Sequence, residues 1–152
     1  MLLYLFTLEL LIHLVKMNRE QLIEELKADE GVVLTLYKCS AGKNTIGVGR
    51  NIDDRGITED ESDYLLSNDI DLCVKELETA FSWFPSLSDA RQRVLVNMCF
   101  NLGLSRLMGF KKFLSAVEAE EWETAAVEML DSKWAKQVGL RSTRLRDLLL
   151  EG

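Results

Sequence analysis

The sequence predicts an α+β fold: one small β-sheet lobe near the N-terminus, then a larger helical lobe, with a cleft where loops and a helix end converge beside the sheet. Three observations predict it. Residues 32–50 form a glycine-punctuated run rich in β-branched and aromatic side chains, the signature of short strands joined by tight turns. Most of the chain beyond residue 57 carries apolar residues at helical spacing. Helix-start signals stand ahead of those periodic stretches, at Asn18, Thr58 and Ser88.

The elements follow in order. Asn18 with Gln21 three residues later is an N-cap with its capping partner, and Leu22, Ile23 and Leu26 fall on one face of the helix they open. Gly31 stops that helix, which puts Glu30 at its C-terminal end. The next stretch reads as a twisted hairpin or three short strands, with Ser40-Ala41-Gly42 and Lys43-Asn44 supplying the turn. Thr58-Glu59-Asp60-Glu61 is a full capping box, and a helix of about twenty residues runs from it to Ala80. Pro85 ends that region, because proline cannot donate to a helix ladder. Ser88 caps the next helix, with Val94, Leu95, Met98 and Phe100 expected inside. Gly103 and Gly109 punctuate two further turns, Glu120 to Leu130 is another amphipathic helix, and Thr143 to Leu150 the last. Trp83, Trp122 and Trp134 are irregularly spaced, which favours core packing over a sugar-stacking stripe.

The chain of 152 residues is about one ordinary domain, taken as residues 17–152 with an apolar leader at 1–16. Its formal net charge is −7, which disfavours a nucleic-acid binder. The charge is uneven: residues 1–90 hold 8 Lys/Arg against 17 Asp/Glu, residues 91–152 hold 10 against 8. A polyanionic partner would therefore be met by the second half, where Lys111, Lys112, Lys133, Lys136, Arg141 and Arg144 stand. Three widely spaced cysteines and a single histidine leave no zinc-site spacing, so no metal and no cofactor are expected. Free thiols fit a reducing compartment, and nothing points beyond a monomer.

Residues 1–16, MLLYLFTLELLIHLVK, are apolar nearly throughout but shorter than the roughly 20 residues a spanning helix needs. They lack a basic n-region and a small-residue cleavage site. Four readings compete: an over-extended start before Met17, a buried or oligomer-forming helix, a weak export or arrest anchor, and a spanning helix. A membrane contact is expected only where this leader is genuine.

Three residues of the cleft-forming segment carry useful chemistry: Glu30, Cys39 and Thr45. Each has a plain structural reading as well, namely an exposed helix-end carboxylate, a small buried hydrophobe and a strand threonine. A carboxylate facing the negative end of a helix dipole is poorly placed for stability and well placed for a general acid.

The run from Asp29-Glu30-Gly31 through Tyr37-Lys38-Cys39 to Thr45-Ile46-Gly47-Val48-Gly49 resembles the active-site segment of the T-even phage lysozymes, glycoside hydrolase family 24. The family pattern is Glu, eight residues, Asp or Cys, five residues, Thr, and Glu30, Cys39 and Thr45 match it. Gly56-Ile57-Thr58 with Asn68-Asp69, the run Arg93 to Gly103, Trp122 to Ala126 and Ser132-Lys133-Trp134 follow in the family's order. The resemblance covers roughly residues 17–146. It implies a lysozyme-like α+β fold and a muramidase that hydrolyses the β-1,4 bond between N-acetylmuramic acid and N-acetylglucosamine in bacterial peptidoglycan. It implies an endolysin that lyses the host cell, held in the bacterial cytoplasm until the membrane is permeabilised and then acting on the wall, or tethered by residues 1–16 before release.

By the same resemblance Glu30 protonates the leaving oxygen, and Cys39 and Thr45 hold and activate the attacking water. Family members invert configuration, which needs room for water between the catalytic groups, roughly 6.5–9.5 Å in the general scheme. Asn51, Phe100 and Asn101 correspond to substrate contacts, with core packing the competing reading for Phe100. Arg141 corresponds to an arginine that pairs with the catalytic glutamate. Arg50 stands where the family has a histidine, and its implied ion-pair partner is Asp69.

Cys39 takes the place that the best-known members give to Asp. An ordinary thiol is only about 3% ionised at pH 7. Either a neighbouring cation such as Lys38, Lys43 or Arg50 activates it, or the step asks little of it. A thiolate nucleophile would give retention, and loss of water activation would give lytic transglycosylase-like chemistry. A non-catalytic peptidoglycan-binding module is the main rival reading. A cysteine peptidase would need His13 as its base. An exported chain would invite a disulfide from Cys39 to Cys73 or Cys99 that cages the site.

Overall fold

The computed structural model describes residues 17–152; the leader 1–16 and His13 lie outside the described residues. The chain divides into two compact units, one ending at Thr58 and the other Glu59–Gly152.

The first unit opens with helix α1, Arg19–Glu30. The Asn18 side chain accepts from the Gln21 N–H at 3.0 Å, as its capping pattern predicts. Gly31, at φ 75°, turns its N–H back onto the Lys27 carbonyl and closes the helix. A β-carbon would be strained in that left-handed conformation, which is why glycine stands there. Three strands follow: β1 Val33–Lys38, β2 Asn44–Gly47 and β3 Arg50–Asn51. They form one antiparallel sheet in the order β1-β2-β3. Tyr37 pairs with Thr45, Thr45 with Asn51, and the ladder is irregular between Val33 and Tyr37. The turn between β1 and β2 lies where the sequence puts it, with the Gly42 N–H donating to the Cys39 carbonyl at 2.8 Å. The single turn α2, Ile52–Arg55, is an element the sequence reading lacks.

The second unit begins with α3, Glu59–Ala80, starting one residue after Thr58 and ending at the predicted Ala80. A 3-10 turn at Phe84–Ser86 carries Pro85. Helix α4, Asp89–Leu102, is capped by the Ser88 hydroxyl and buries Val94, Leu95, Met98 and Cys99. Phe100, expected inside with them, is 46% exposed. The reason is angular: at 100° per residue it stands some 200° round the helix from Met98. Four shorter helices follow: α5 Leu104–Leu107, α6 Lys111–Glu118, α7 Trp122–Leu130 and α8 Lys133–Val138. The last is α9, Leu140–Glu151. Helices α6 and α8 were not separately predicted. Helix α7 starts two residues later than expected because Glu120, at φ 56°, breaks the helical path. Helix α9 starts three residues before Thr143.

Leu77, Leu95, Met98, Leu107, Phe113, Met129, Leu145 and Leu149 form the centre of one hydrophobic core in this unit. All three tryptophans serve it: Trp134 is 4% exposed, and Trp83 and Trp122 pack against the core. No helix of the described residues is long and apolar enough to cross a membrane.

Candidate active site

Glu30 is the last residue of α1 and is exposed. Cys39 follows β1 directly and opens the tight turn; its N–H donates to the Lys43 carbonyl at 3.0 Å. Thr45 lies in β2, is only 2% exposed, and sits opposite Tyr37. The far end of β2 pairs Gly47 with Val33, three residues beyond Glu30. One strand pair thus carries Cys39 and Thr45 at its turn end and receives the chain from Glu30 at its other end.

The turn changes the chemistry of Cys39. Its thiol is held below the ordinary thiol pKa, chiefly by the backbone of Lys43, next by that of Ala41, and further by the Thr45 side chain; slight desolvation opposes them. Hydrogen bonding from such groups favours the ionised form of a thiol. The groups that lower the Cys39 pKa belong to its own turn. The Lys43 ammonium is engaged elsewhere, on Asp54 Oδ1 at 2.8 Å. The Thr45 hydroxyl donates to the Lys43 carbonyl at 3.1 Å. It has a single proton, so an ionised Cys39 competes with that carbonyl for it.

Beside this turn an acidic residue that sequence reasoning missed fixes the start of β2. Asp53 accepts from the Asn44 N–H at 2.9 Å and from the Asn44 side-chain amide at 2.8 Å. Those two bonds, with Lys38 and Lys43 nearby, hold its carboxyl below the usual carboxylate pKa. Asn51, expected as a substrate contact, has a structural task. Its Oδ1 caps α2 by accepting from the Asp54 N–H at 3.0 Å, and its amide donates to the Asp54 carboxylate at 2.9 Å. The Asn51-x-x-Asp54 spacing is a capping signature and could have revealed both α2 and this role. Arg50 donates through Nε to the Gly56 carbonyl at 2.9 Å.

The remaining predicted residues belong to the second unit. Asp69 is exposed on α3. Arg141 donates from Nε to Asn97 Oδ1 at 2.8 Å and from a terminal nitrogen to the Asn97 carbonyl at 3.3 Å. Asn97, inside the run that carries the family likeness, thus holds the Arg141 guanidinium in place. Asn101 accepts from the Trp134 indole N–H at 2.8 Å. Phe100, Asn97, Arg141 and Arg144 share a groove of about 570 Å³ with the apolar side chains of α3. A second groove of about 520 Å³ gathers Lys111, Lys112 and Lys133 around Phe110 and Trp134. The expected basic surface is therefore split, and Asp131 and Glu128 share the lysine groove. Among the described residues no cluster of three or more His, Cys, Asp or Glu side chains could hold a metal ion.

Comparison with known proteins gives this geometry its context. The family model described as phage lysozyme matches residues 27–148, a span that contains Glu30, Cys39 and Thr45. The chain is 30% identical over 156 residues to "Probable T4-type lysozyme 1" of Dictyostelium discoideum, covering 84% of this chain and 92% of that one. It is 30% identical over 149 residues to "Probable T4-type lysozyme 2" of the same organism, covering 79% of this chain and 88% of that one. It is also 26% identical over 157 residues to the "Pre-baseplate central spike protein Gp5" of Enterobacteria phage T4, which covers 85% of this chain and 27% of that larger protein. With a family match over most of its length and relatives of this likeness, the chain is a member of the phage lysozyme family.

Proposed function

We propose that the chain is a muramidase that hydrolyses the β-1,4 bond between N-acetylmuramic acid and N-acetylglucosamine of bacterial peptidoglycan. The carrying observation is the Cys39 turn: a half-buried cysteine held in a tight turn by its own backbone bonds to Lys43 and Gly42, with its thiol pKa lowered by the backbone of Lys43 and Ala41 and by the Thr45 side chain. Such a site favours an anion, the form a water-activating group requires. In this reading Glu30, exposed at the end of its helix, serves as general acid for the leaving oxygen. Cys39 is the base that draws a proton from water, and Thr45 orients that water. Phe100 and Asn101 contact the sugar, and Asn51 lies at the edge of the substrate path. The names of the Dictyostelium discoideum relatives support a lysozyme activity. The biological role we assign is breakdown of the bacterial wall leading to lysis, with the enzyme held in the host cytoplasm until the membrane is breached.

The test is release of reducing ends from purified peptidoglycan under reducing conditions. Wild type should be active, Glu30→Gln inactive and Cys39→Ala strongly impaired, while Cys39→Asp should retain turnover. A chain that binds peptidoglycan yet releases sugar only as Cys39→Asp would be a binding module, and the proposal would fail. Products ending in an anhydro sugar rather than a reducing end would show transglycosylation instead of hydrolysis.

A further inference from the structure

One peptide group joins the two site residues of the hairpin. The Lys43 carbonyl accepts from the Cys39 N–H at 3.0 Å and from the Thr45 hydroxyl at 3.1 Å. The N–H of the same peptide belongs to Asn44, and it donates to Asp53 Oδ2 at 2.9 Å. The Asn44 side-chain amide donates to the other Asp53 oxygen at 2.8 Å. Both oxygens of one carboxylate thus hold one residue of the turn. A peptide group is planar, so fixing its N–H fixes the direction of its carbonyl. Asp53 on one end of this plane therefore sets where the other end points, and with it the Cys39 main chain and the Thr45 hydroxyl.

The support of Asp53 is built into the same unit. It lies in the first turn of α2. Asn51, which pairs with Thr45 in the ladder, caps that turn by accepting from the Asp54 N–H at 3.0 Å. A closed circuit results: Thr45 to Asn51 across the ladder, Asn51 to α2, Asp53 to the Lys43–Asn44 peptide, and that peptide back to Thr45. The neighbouring acid acts differently. Asp54 meets the Lys43 ammonium at 2.8 Å, with both side chains exposed, and such a pair grips a flexible side chain at little gain.

We propose that Asp53 is a positioning residue for Cys39 and Thr45, acting through the Lys43–Asn44 peptide plane. The inference rests on the proposed catalytic use of those two residues. A hydrogen bond to an ionised carboxylate is stronger than one between neutral groups. It also polarises the amide that makes it, so the Lys43 carbonyl becomes a better acceptor for the two donors at its other end. The Lys43 backbone is, in addition, the largest of the influences that lower the Cys39 thiol, and a plane free to tilt would weaken it. The single turn α2 buries none of its residues; its task in this reading is to carry a carboxylate to the turn.

The test compares Asp53→Ala, Asp53→Asn and Asp54→Ala in the full chain. Three quantities are read: amide exchange at Cys39 by NMR, the pH at which Cys39 alkylation by iodoacetamide is half-maximal, and kcat and KM for reducing-end release from peptidoglycan. In Asp53→Ala the Cys39 amide should exchange about tenfold faster, the low end for loss of a hydrogen bond to a charged group. The alkylation midpoint should move upward. Turnover should fall by about tenfold in kcat with KM little changed, as for an interaction that counts in the transition state. Asp53→Asn keeps an acceptor for the Asn44 N–H but loses the charge and the second bond, so its values should lie between. Asp54→Ala retains the peptide plane and the Asn51 cap, and should match wild type in all three. Wild-type exchange and alkylation in Asp53→Asn would overturn the inference whether or not Asp53→Ala folds. So would an Asp54→Ala chain as perturbed as Asp53→Ala, or a loss confined to KM. An inactive wild type would end the muramidase reading, while exchange and alkylation would still decide the role of Asp53.

Discussion

Removing the Asn101 side chain should destabilise the second unit, although family likeness gives that residue only a substrate role. The Trp134 indole is 4% exposed, and its N–H donates to Asn101 Oδ1 at 2.8 Å. In Asn101→Ala the indole stays in the core and loses its acceptor. A buried donor left unpaired costs roughly 1–3 kcal/mol, and the exposure of Asn101 itself lets some water reach the site, so about 1.5 kcal/mol is expected. For a 94-residue unit (Glu59–Gly152) that corresponds to a fall in Tm of about 8 °C. Trp83, Trp122 and Trp134 all lie in this unit, so tryptophan fluorescence in urea reports on it directly. The control is a double-mutant cycle with Trp134→Phe, which removes the donor itself. The two substitutions should couple by about 1 kcal/mol, because once the donor is gone the loss of the acceptor matters little. An Asn101→Ala chain as stable as wild type, with no coupling to Trp134→Phe, would refute the reasoning and leave Asn101 a substrate contact alone.

Further outcomes follow from the same contacts. Alkylation of Cys39 by iodoacetamide should reach half its limiting rate at a pH below that of an ordinary thiol, and Thr45→Val should move that pH upward. Asp53 has a depressed carboxyl pKa, so its contribution to stability is complete above the ordinary carboxylate value and fades as pH falls through the lower, folded-state value. Asp53→Asn should remove that acid-dependent component and speed amide exchange at Asn44, read by NMR. Leu77→Ala deletes a fully buried side chain between α3 and the core and should cost about 2–5 kcal/mol in urea unfolding.

The parts of the fold that could be read from the sequence are those whose signals are local. The Asn18 and Ser88 caps, the Gly31 stop and the Gly42 turn each rest on a few adjacent residues, and each is found in place. Helix α3 runs long enough for its period to announce itself. The short helices α2, α6 and α8 were missed because one to two turns give too little periodicity. Helix α6 depends on tertiary packing, as the burial of Phe113, Leu114 and Val117 shows, whereas α2 buries none of its residues and rests on its Asn51 cap. The apolar character of Phe100 predicts burial, but its angle on the helix turns it outward. For the site, Glu30, Cys39 and Thr45 are legible as a spaced pattern, and the placing of Cys39 and Thr45 on one hairpin follows from the turn. Hydrogen-bond partners were less accessible. Nothing in one sequence says that Asn97 holds Arg141, 44 residues away, or that Asn101 serves Trp134, because such pairs exist only once helices are packed.

Cys39 is where sequence and structure together sharpen the chemistry. Charge attraction and hydrogen bonding both favour an ionised sulfur, but they make different demands. A cation works through space and weakens with salt; backbone N–H groups are fixed by the turn and serve a carboxylate as well as a thiolate. Donation by the backbone of Lys43 and Ala41 therefore explains how one turn can accept either residue. It also supplies a sharper test than removal of the side chain. Cys39→Ser keeps a small polar atom in the turn but stays neutral at every working pH, whereas Cys39→Asp is ionised throughout. If the ionised sulfur draws the proton from water, Cys39→Ser should lose about 10²-fold in turnover, within the usual range for a general base, and Cys39→Asp should not. The pH–rate profile gives an independent reading. Wild type should gain activity as pH rises through the pKa of Cys39, and Cys39→Asp should lack that limb. Salt should shift the limb little, since peptide dipoles rather than mobile charges set it. A Cys39→Ser enzyme as active as wild type, with the same profile, would show that turnover makes no use of the ionised thiol and would assign water activation elsewhere in the site.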